Sequence, residues 1–194
     1  MNKNIKLIIF IVLALLQLLV PSQVILSREL ALRYGQEYKF RVEPLDPYDP
    51  FRGRYLYINV EDTEITVNND QQYHTKQTIY VLIENDTSGF ARFSGITLTP
   101  PESDTYIKTK ITYITYEHYD GDGSSGKPTV HFQVPFERYY MPENDAPSAE
   151  KIYNEKISQD STEDVYVSVK IYKGTAVLDK LFIGDKTIEE YMKL

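Results

Sequence analysis

Apolar residues follow two regimes along this chain: one dense block at the start, and alternation with polar residues almost everywhere after it. Lys3 and Lys6 lead into a run that is apolar from Leu7 to Leu16 and resumes at Leu18, Leu19 and Val20. A cationic flank ahead of such a block marks an export signal or a membrane anchor, with the N-terminus on the cytoplasmic side. Ile5 to Val20 is 16 residues, about 24 Å of helix, which is short of the hydrocarbon core and suits a cleaved signal. Carried on through Pro21, Ser22 and Gln23 to Val24, Ile25 and Leu26, the run reaches 22 residues, about 33 Å, and spans. Pro21 falls near the wet outer face, where its missing donor is tolerated. Val20-Pro21-Ser22 also offers a small residue for cleavage. The pattern divides the chain into an anchor over 1–26 and a domain over 27–194 facing away from the cytoplasm.

The rest of the chain reads as strands. Tyr38, Phe40 and Val42 alternate with charged residues over Glu37 to Glu43, a period of two with one buried face. Arg54 to Glu61 alternates Leu56, Ile58 and Val60 against Tyr55, Tyr57 and Asn59, and Glu64 to Val67 continues that region. Gln77 to Glu84 and Gly89 to Leu98 form a predicted hairpin around Asn85-Asp86-Thr87-Ser88-Gly89. Tyr106 to Tyr116 and Thr129 to Val134 are further strands, separated by the loop Asp120 to Gly126. Pro147 and a polar cap predict a helix over Asp145 to Lys156. Asp164 to Tyr172 and Ala176 to Ile183 flank Lys173-Gly174 as a closing hairpin, and Thr187 opens a short terminal helix with Ile188, Tyr191 and Met192. The fold class is mainly β: an antiparallel sheet or sandwich domain with one or two short helices, preceded by an N-terminal transmembrane helix.

Charge and composition narrow the partners. About 168 residues remain beyond the anchor, enough for a core of their own. Net charge is −7, and −9 once Lys3 and Lys6 are left out, which argues against nucleic acid, or an anionic lipid surface beyond the anchor itself, as a partner. With no Cys, stability rests on burial and sheet pairing rather than on disulfides, and 17 Tyr with no Trp suit half-wet strands.

Catalytic patterns are sparse. His74, His118 and His131 are the three histidines, and none stands at zinc-ligand spacing from another. Asp120, Asp122 and Ser124 resemble the opening of a calcium loop, but His131 occupies the position where the closing Glu belongs. No Ser sits in a nucleophile elbow. No cofactor and no metal site is expected, and the residues lean against catalysis.

Two segments stand apart. In Val42-Glu43-Pro44-Leu45-Asp46-Pro47-Tyr48-Asp49-Pro50-Phe51-Arg52-Gly53-Arg54-Tyr55-Leu56-Tyr57, three prolines stiffen a corner that delivers two arginines around one glycine into a strand. In Val134-Pro135-Phe136-Glu137-Arg138-Tyr139-Tyr140-Met141-Pro142-Glu143, an Arg-Tyr-Tyr run precedes Pro-Glu. Together they resemble the bacterial GDYXXLXY family of membrane-anchored proteins, with Glu43-Pro44, Asp46-Pro47 and Phe51-Arg52-Gly53 on its first motif and Arg138-Tyr139-Tyr140 with Pro142-Glu143 on its second. Arg54 stands where the family has Asp, and Tyr55-Leu56-Tyr57 matches its spacing only loosely.

The resemblance implies a single-pass protein of the bacterial inner (cytoplasmic) membrane with its C-terminal domain outside the cytoplasm, touching the lipid bilayer through the helix and a polytopic membrane protein as partner. It supplies no reaction. The candidate binding residues are Asp46, Arg52, Arg54, Arg138 and Glu143. The arginines either lock the corner against Asp46, Asp49 or Glu143, or face outward to hold a carboxylate or phosphate. The expected function is non-enzymatic binding or scaffolding. The alternative is a hydrolase or small-ligand sensor with a polar site between the Pro-rich corner and the Arg-Tyr-Tyr segment.

Overall fold

The computed structural model describes residues 3–43, 55–68, 73–102, 105–118, 125–158 and 164–193. The chain begins with one continuous helix, α1 (Lys3–Tyr34), which passes straight through Pro21. Its 32 residues make it about 48 Å long, and it is long and apolar enough to cross a membrane. From Ile5 to Leu26 its large apolar side chains are exposed. Beyond Leu26 it runs on for two more turns through Arg28, Glu29 and Arg33, a polar stretch that hydropathy alone does not read as helix.

Those last turns dock on the domain. Ala31 is buried, the Lys170 ammonium donates to the Leu32 carbonyl at 3.3 Å, and the Tyr34 and Tyr172 rings approach to 6.4 Å. A single residue, Gly35, then separates α1 from the first strand.

That strand, β1 (Gln36–Glu43), buries Tyr38, Phe40 and Val42, as its alternation predicts. It pairs antiparallel with β10 (Val165–Tyr172), which in turn pairs with β11 (Thr175–Ile183). Lys173 and Gly174 both have positive φ, 47° and 81°, the conformation that a two-residue hairpin needs to match strand twist. With β3 (Asn59–Val60) and β12 (Lys186–Thr187) this makes a five-stranded sheet in the order β12-β11-β10-β1-β3. The Thr187 hydroxyl and the Glu190 carboxylate close a capping box on the last helix, α3 (Ile188–Tyr191).

The second five-stranded sheet runs β4-β8-β7-β5-β6, built from β4 (Glu64–Thr66), β5 (Thr78–Asn85), β6 (Ala91–Thr97), β7 (Tyr106–His118) and β8 (Ser125–Phe132). It curls until β6 approaches β4. The two sheets share one apolar core, where Phe40 of β1 lies 5.3 Å from Phe93 of β6 and 5.2 Å from Phe136, and Phe93 meets Phe132 of β8 edge-on at 5.1 Å. The fold is mainly antiparallel β with short helices, as the alternation implies.

One strand differs from its expected form. Leu56, Ile58 and Val60 are all buried, so the alternation over Arg54 to Glu61 is real. The backbone changes partners midway, however. β2 (Tyr55–Tyr57) pairs with β9 (Arg138–Tyr140), whereas β3 pairs with β1. At the switch the Ile58 amide donates to the Glu137 carbonyl at 2.7 Å. A period of two fixes which face is buried, not which neighbour a strand takes. After β9, α2 (Ala146–Ser158) covers β2, close to the helix expected over Asp145 to Lys156.

Candidate functional site

The two motif segments meet. Tyr55 stands opposite Tyr140, Leu56 opposite Tyr139 and Tyr57 opposite Arg138 in the two-stranded ribbon β2–β9. Leu56 and Tyr139 face inward, and Arg138 and Tyr140 face out. The outward guanidinium of Arg138 lies 4.9 Å from the Tyr55 ring centroid, and the Tyr55 and Tyr140 rings are 5.9 Å apart. Contact with the Tyr140 side chain, then the fields of Tyr55, Tyr140 and Glu137, push the Arg138 pKa above its ordinary value and keep it charged. On the inward side the Tyr139 hydroxyl donates to the Glu189 carboxylate of α3. Burial, followed by that hydrogen bond and the Glu189 charge, raises the Tyr139 pKa, so the phenol stays protonated.

Of the five candidate residues, Arg138 lies on this ribbon and Glu143 is exposed between β9 and α2. Among the described residues no ion pair joins them. Asp46, Arg52 and Arg54, with the Pro-rich corner, lie outside the described residues, as do Asp120, Asp122 and Ser124 of the calcium-like loop. His131 is a strand histidine. Its Nδ1 is 3.1 Å from Glu64, its Nε2 is 2.8 Å from the Thr115 hydroxyl, and its ring stacks on Tyr113 at 4.2 Å. Among the described residues no three His, Cys, Asp or Glu side chains gather to hold a metal ion.

Beside the ribbon opens a cleft of about 650 Å³. Its walls come from the end of α1, the turn before β5, the middle of β7, the segment from Gln133 to Arg138, and β11. Four cations line it: Arg28, Lys76, Lys110 and Arg138. Among the described residues its one acid is Glu137. That carboxylate already accepts from the Tyr57 hydroxyl at 2.9 Å and the Gln133 amide at 2.6 Å. Among the described residues, Arg28, Lys76 and Lys110 have no acidic partner.

The backbone at Lys76 has φ of 68°, a left-handed conformation that a side chain disfavours. It is fixed by Lys76 N–H donating to Ile111 at 2.8 Å, Gln77 N–H to the His74 carbonyl at 3.0 Å, and His74 N–H to the Gln77 side chain at 2.8 Å. In a chain of net charge −7, the cleft is a local inversion of sign. Sequence reading found Arg138 and missed the other three cations, because they stand on separate elements far apart in the chain.

The fold and cleft define a class: an antiparallel β domain set directly on a membrane-length helix, with a cationic cleft where the two join. The chain belongs to the GDYXXLXY protein family, whose model matches residues 17–181. Comparison with curated proteins and with solved structures returns no match.

Proposed function

We propose that the chain is a single-pass protein of the bacterial inner membrane whose C-terminal domain, outside the cytoplasm, docks on another membrane or envelope protein and performs no chemistry of its own. The observation that supports this most is the junction at Gly35. The helix enters β1 without a linker, and its last turns are pinned on β10 and β11 by Ala31, the Leu32 carbonyl and Tyr34. A flexible tether lets a domain search a volume. This one holds it at a fixed height and angle over the bilayer, the geometry a surface needs when its partner sits in the same membrane. The bare apolar flank of α1 from Ile5 to Leu26 adds a face for lipid or a neighbouring helix. The second reading, a small-ligand sensor, is favoured by one observation, the cationic cleft at Arg138.

Membrane fractionation with protease accessibility tests the topology, and site-specific photocrosslinking in intact cells tests docking. Crosslinkers at exposed Tyr113 and Tyr140 are expected to give a discrete heavier adduct. Inserting a Gly-Ser linker after Gly35 is expected to abolish that adduct while the domain stays folded. Recovery of the intact chain in the soluble fraction, or equal adducts with and without the linker, overturns the reading.

A further inference from the structure

The cleft has two properties that together specify a ligand. The first is charge. Arg28, Lys76, Lys110 and Arg138 converge on one cavity, and the only carboxylate among them in the described residues, that of Glu137, is occupied by Tyr57 and Gln133. Cations gathered in a concave wall repel one another, and the field they focus attracts an anion into the space between them. Thr112 stands on the same wall, beside cations able to grip phosphate oxygens by charge-assisted hydrogen bonds, while the Thr109 hydroxyl there donates to the Gln133 carbonyl.

The second property is height. The exposed apolar stretch of α1 from Leu7 to Leu26 is about 30 Å long, the thickness of a bilayer's hydrocarbon core. Arg28 comes two residues later on the same unbroken helix, about 3 Å farther along its axis, at the level of the lipid phosphates. Because Arg28 is itself part of the cleft wall, the mouth of the cleft is brought to the headgroups. A ligand there needs no diffusion from bulk water.

We propose that this cleft binds a phosphate-bearing anion, and that the ligand the anchor brings to it is the headgroup of an anionic phospholipid in the leaflet beneath the domain. The source of the ligand rests on the membrane-anchored reading, while the cation cluster stands independently of it. The acidic remainder of the domain then has a role as well: it repels the anionic membrane surface everywhere except at the cleft, so that one headgroup, rather than a general lipid coat, is engaged.

The test uses the full chain purified in neutral detergent. It is mixed with phosphatidylcholine and phosphatidylglycerol, and retained lipid is counted by native mass spectrometry. The wild type is expected to prefer phosphatidylglycerol by about tenfold. The triple variant Arg28→Gln, Lys76→Gln, Lys110→Gln is expected to lose that preference with unchanged thermal unfolding, and Lys151→Gln on α2 to keep it. Should the triple variant fail to fold, Lys110→Gln alone is expected to weaken retention, and salt to weaken it in the wild type.

In a second arm, inorganic phosphate and glycerol phosphate are titrated against protein in phosphatidylcholine nanodiscs. Binding there that depends on the three cations, without retention of phosphatidylglycerol, supports the anion site and assigns it a soluble ligand. Equal behaviour of wild type and variants in both arms overturns the proposal. Absence of any crosslinked adduct from the wild type, with intact lipid preference, overturns the docking reading alone.

Discussion

A Cβ placed on Gly35 would stand 2.2 Å from the carbonyl oxygen of Ala31 and 3.0 Å from the amide nitrogen of Ile171. The Gly35 amide makes the last hydrogen bond of α1, to that same Ala31 carbonyl at 2.9 Å, so helix end and the central strand β10 close on one residue with no room for a side chain. Gly35→Ala is expected to cost about 2–3 kcal/mol, read as a fall in thermal unfolding temperature of about 5–10 °C for the full chain in detergent. Gly89 makes the control. It has φ of 83° but open space around it, so Gly89→Ala is expected to cost only about 1 kcal/mol. Equal losses at the two sites would show that the junction does not hold the helix.

Asp86 joins the two sheets, and its titration contributes to the acid limb of stability. One oxygen accepts from the Ser88 and Phe90 amides at 2.8 and 2.9 Å, and the other from Arg41 of β1 at 2.9 Å. The Arg41 guanidinium also lies 4.0 Å over the Phe90 ring. The Phe90 amide first, then the hydrogen bonds from Arg41 and Ser88, lower the carboxyl's pKa below its ordinary value. A lowered folded-state pKa means that the unfolded chain takes up the proton first. The contribution is therefore complete above the unfolded value of about 4 and is lost as pH falls through the folded one. Asp86→Asn is expected to lower the unfolding temperature at pH 7 and to flatten its decline between neutral and acid pH. An unchanged acid limb in the variant would place that dependence on other carboxylates.

Tyr153 of α2 is fully buried, yet among the described residues its hydroxyl has no hydrogen-bond partner of normal geometry. Burial pushes the hydroxyl's pKa up and outweighs the opposing effect of the Asn59 backbone amide. An unpaired buried hydroxyl costs about 1–3 kcal/mol, whereas the ring it sits on fills space that must be filled. Tyr153→Phe is expected to be neutral or to raise the unfolding temperature by about 2–4 °C. Tyr153→Ala is expected to cost about 3–5 kcal/mol. A clear loss in the Phe variant would show that the hydroxyl has a partner in solution.

How far the fold was legible depended on what periodicity can encode. Alternation identified the buried face of β1, and the Lys173-Gly174 pair marked its turn because two left-handed positions demand such residues. Alternation also placed Leu56, Ile58 and Val60 inside, yet it could not show that the backbone passes from β9 to β1 at Ile58. That exchange is decided by Glu137, 79 positions away along the chain. Hydropathy stopped α1 at Leu26, since Arg28, Glu29 and Arg33 look like the start of a soluble domain. The helix goes on because its last turns, with Ala31 buried, have β10 and β11 to pack against. The cleft was the least legible feature. Its four cations come from α1, the His74–Gln77 turn, β7 and β9, and a net charge of −7 conceals a local cluster of the opposite sign.

Arg138 is exposed and stacked on Tyr55, with no carboxylate partner among the described residues. Leu56, on the same ribbon, is buried against Tyr139. The ribbon is accordingly held by burial, and the guanidinium, which touches Tyr55 and Tyr140 but no carboxylate among the described residues, can serve a ligand. Arg138→Ala is expected to leave the unfolding temperature near that of the wild type, while Leu56→Ala costs about 2–5 kcal/mol. A large loss from Arg138→Ala would instead assign the arginine to locking the corner.

Lys76 separates stability from binding in a single side chain. Its backbone is left-handed at φ of 68°, where a β-carbon costs about 1–2 kcal/mol and glycine costs none. Part of the gain on removing the side chain returns as freedom of the unfolded chain. Lys76→Gly is therefore expected to stabilise the fold by up to about 1 kcal/mol, with a higher unfolding temperature. The same change deletes one of four cations from the cleft and is expected to weaken its anion preference several-fold. One substitution therefore moves stability and anion binding in opposite directions. If Lys76→Gly gains stability and loses no affinity, the lysine is only a turn residue, and the cleft must hold its anion with Arg28, Lys110 and Arg138.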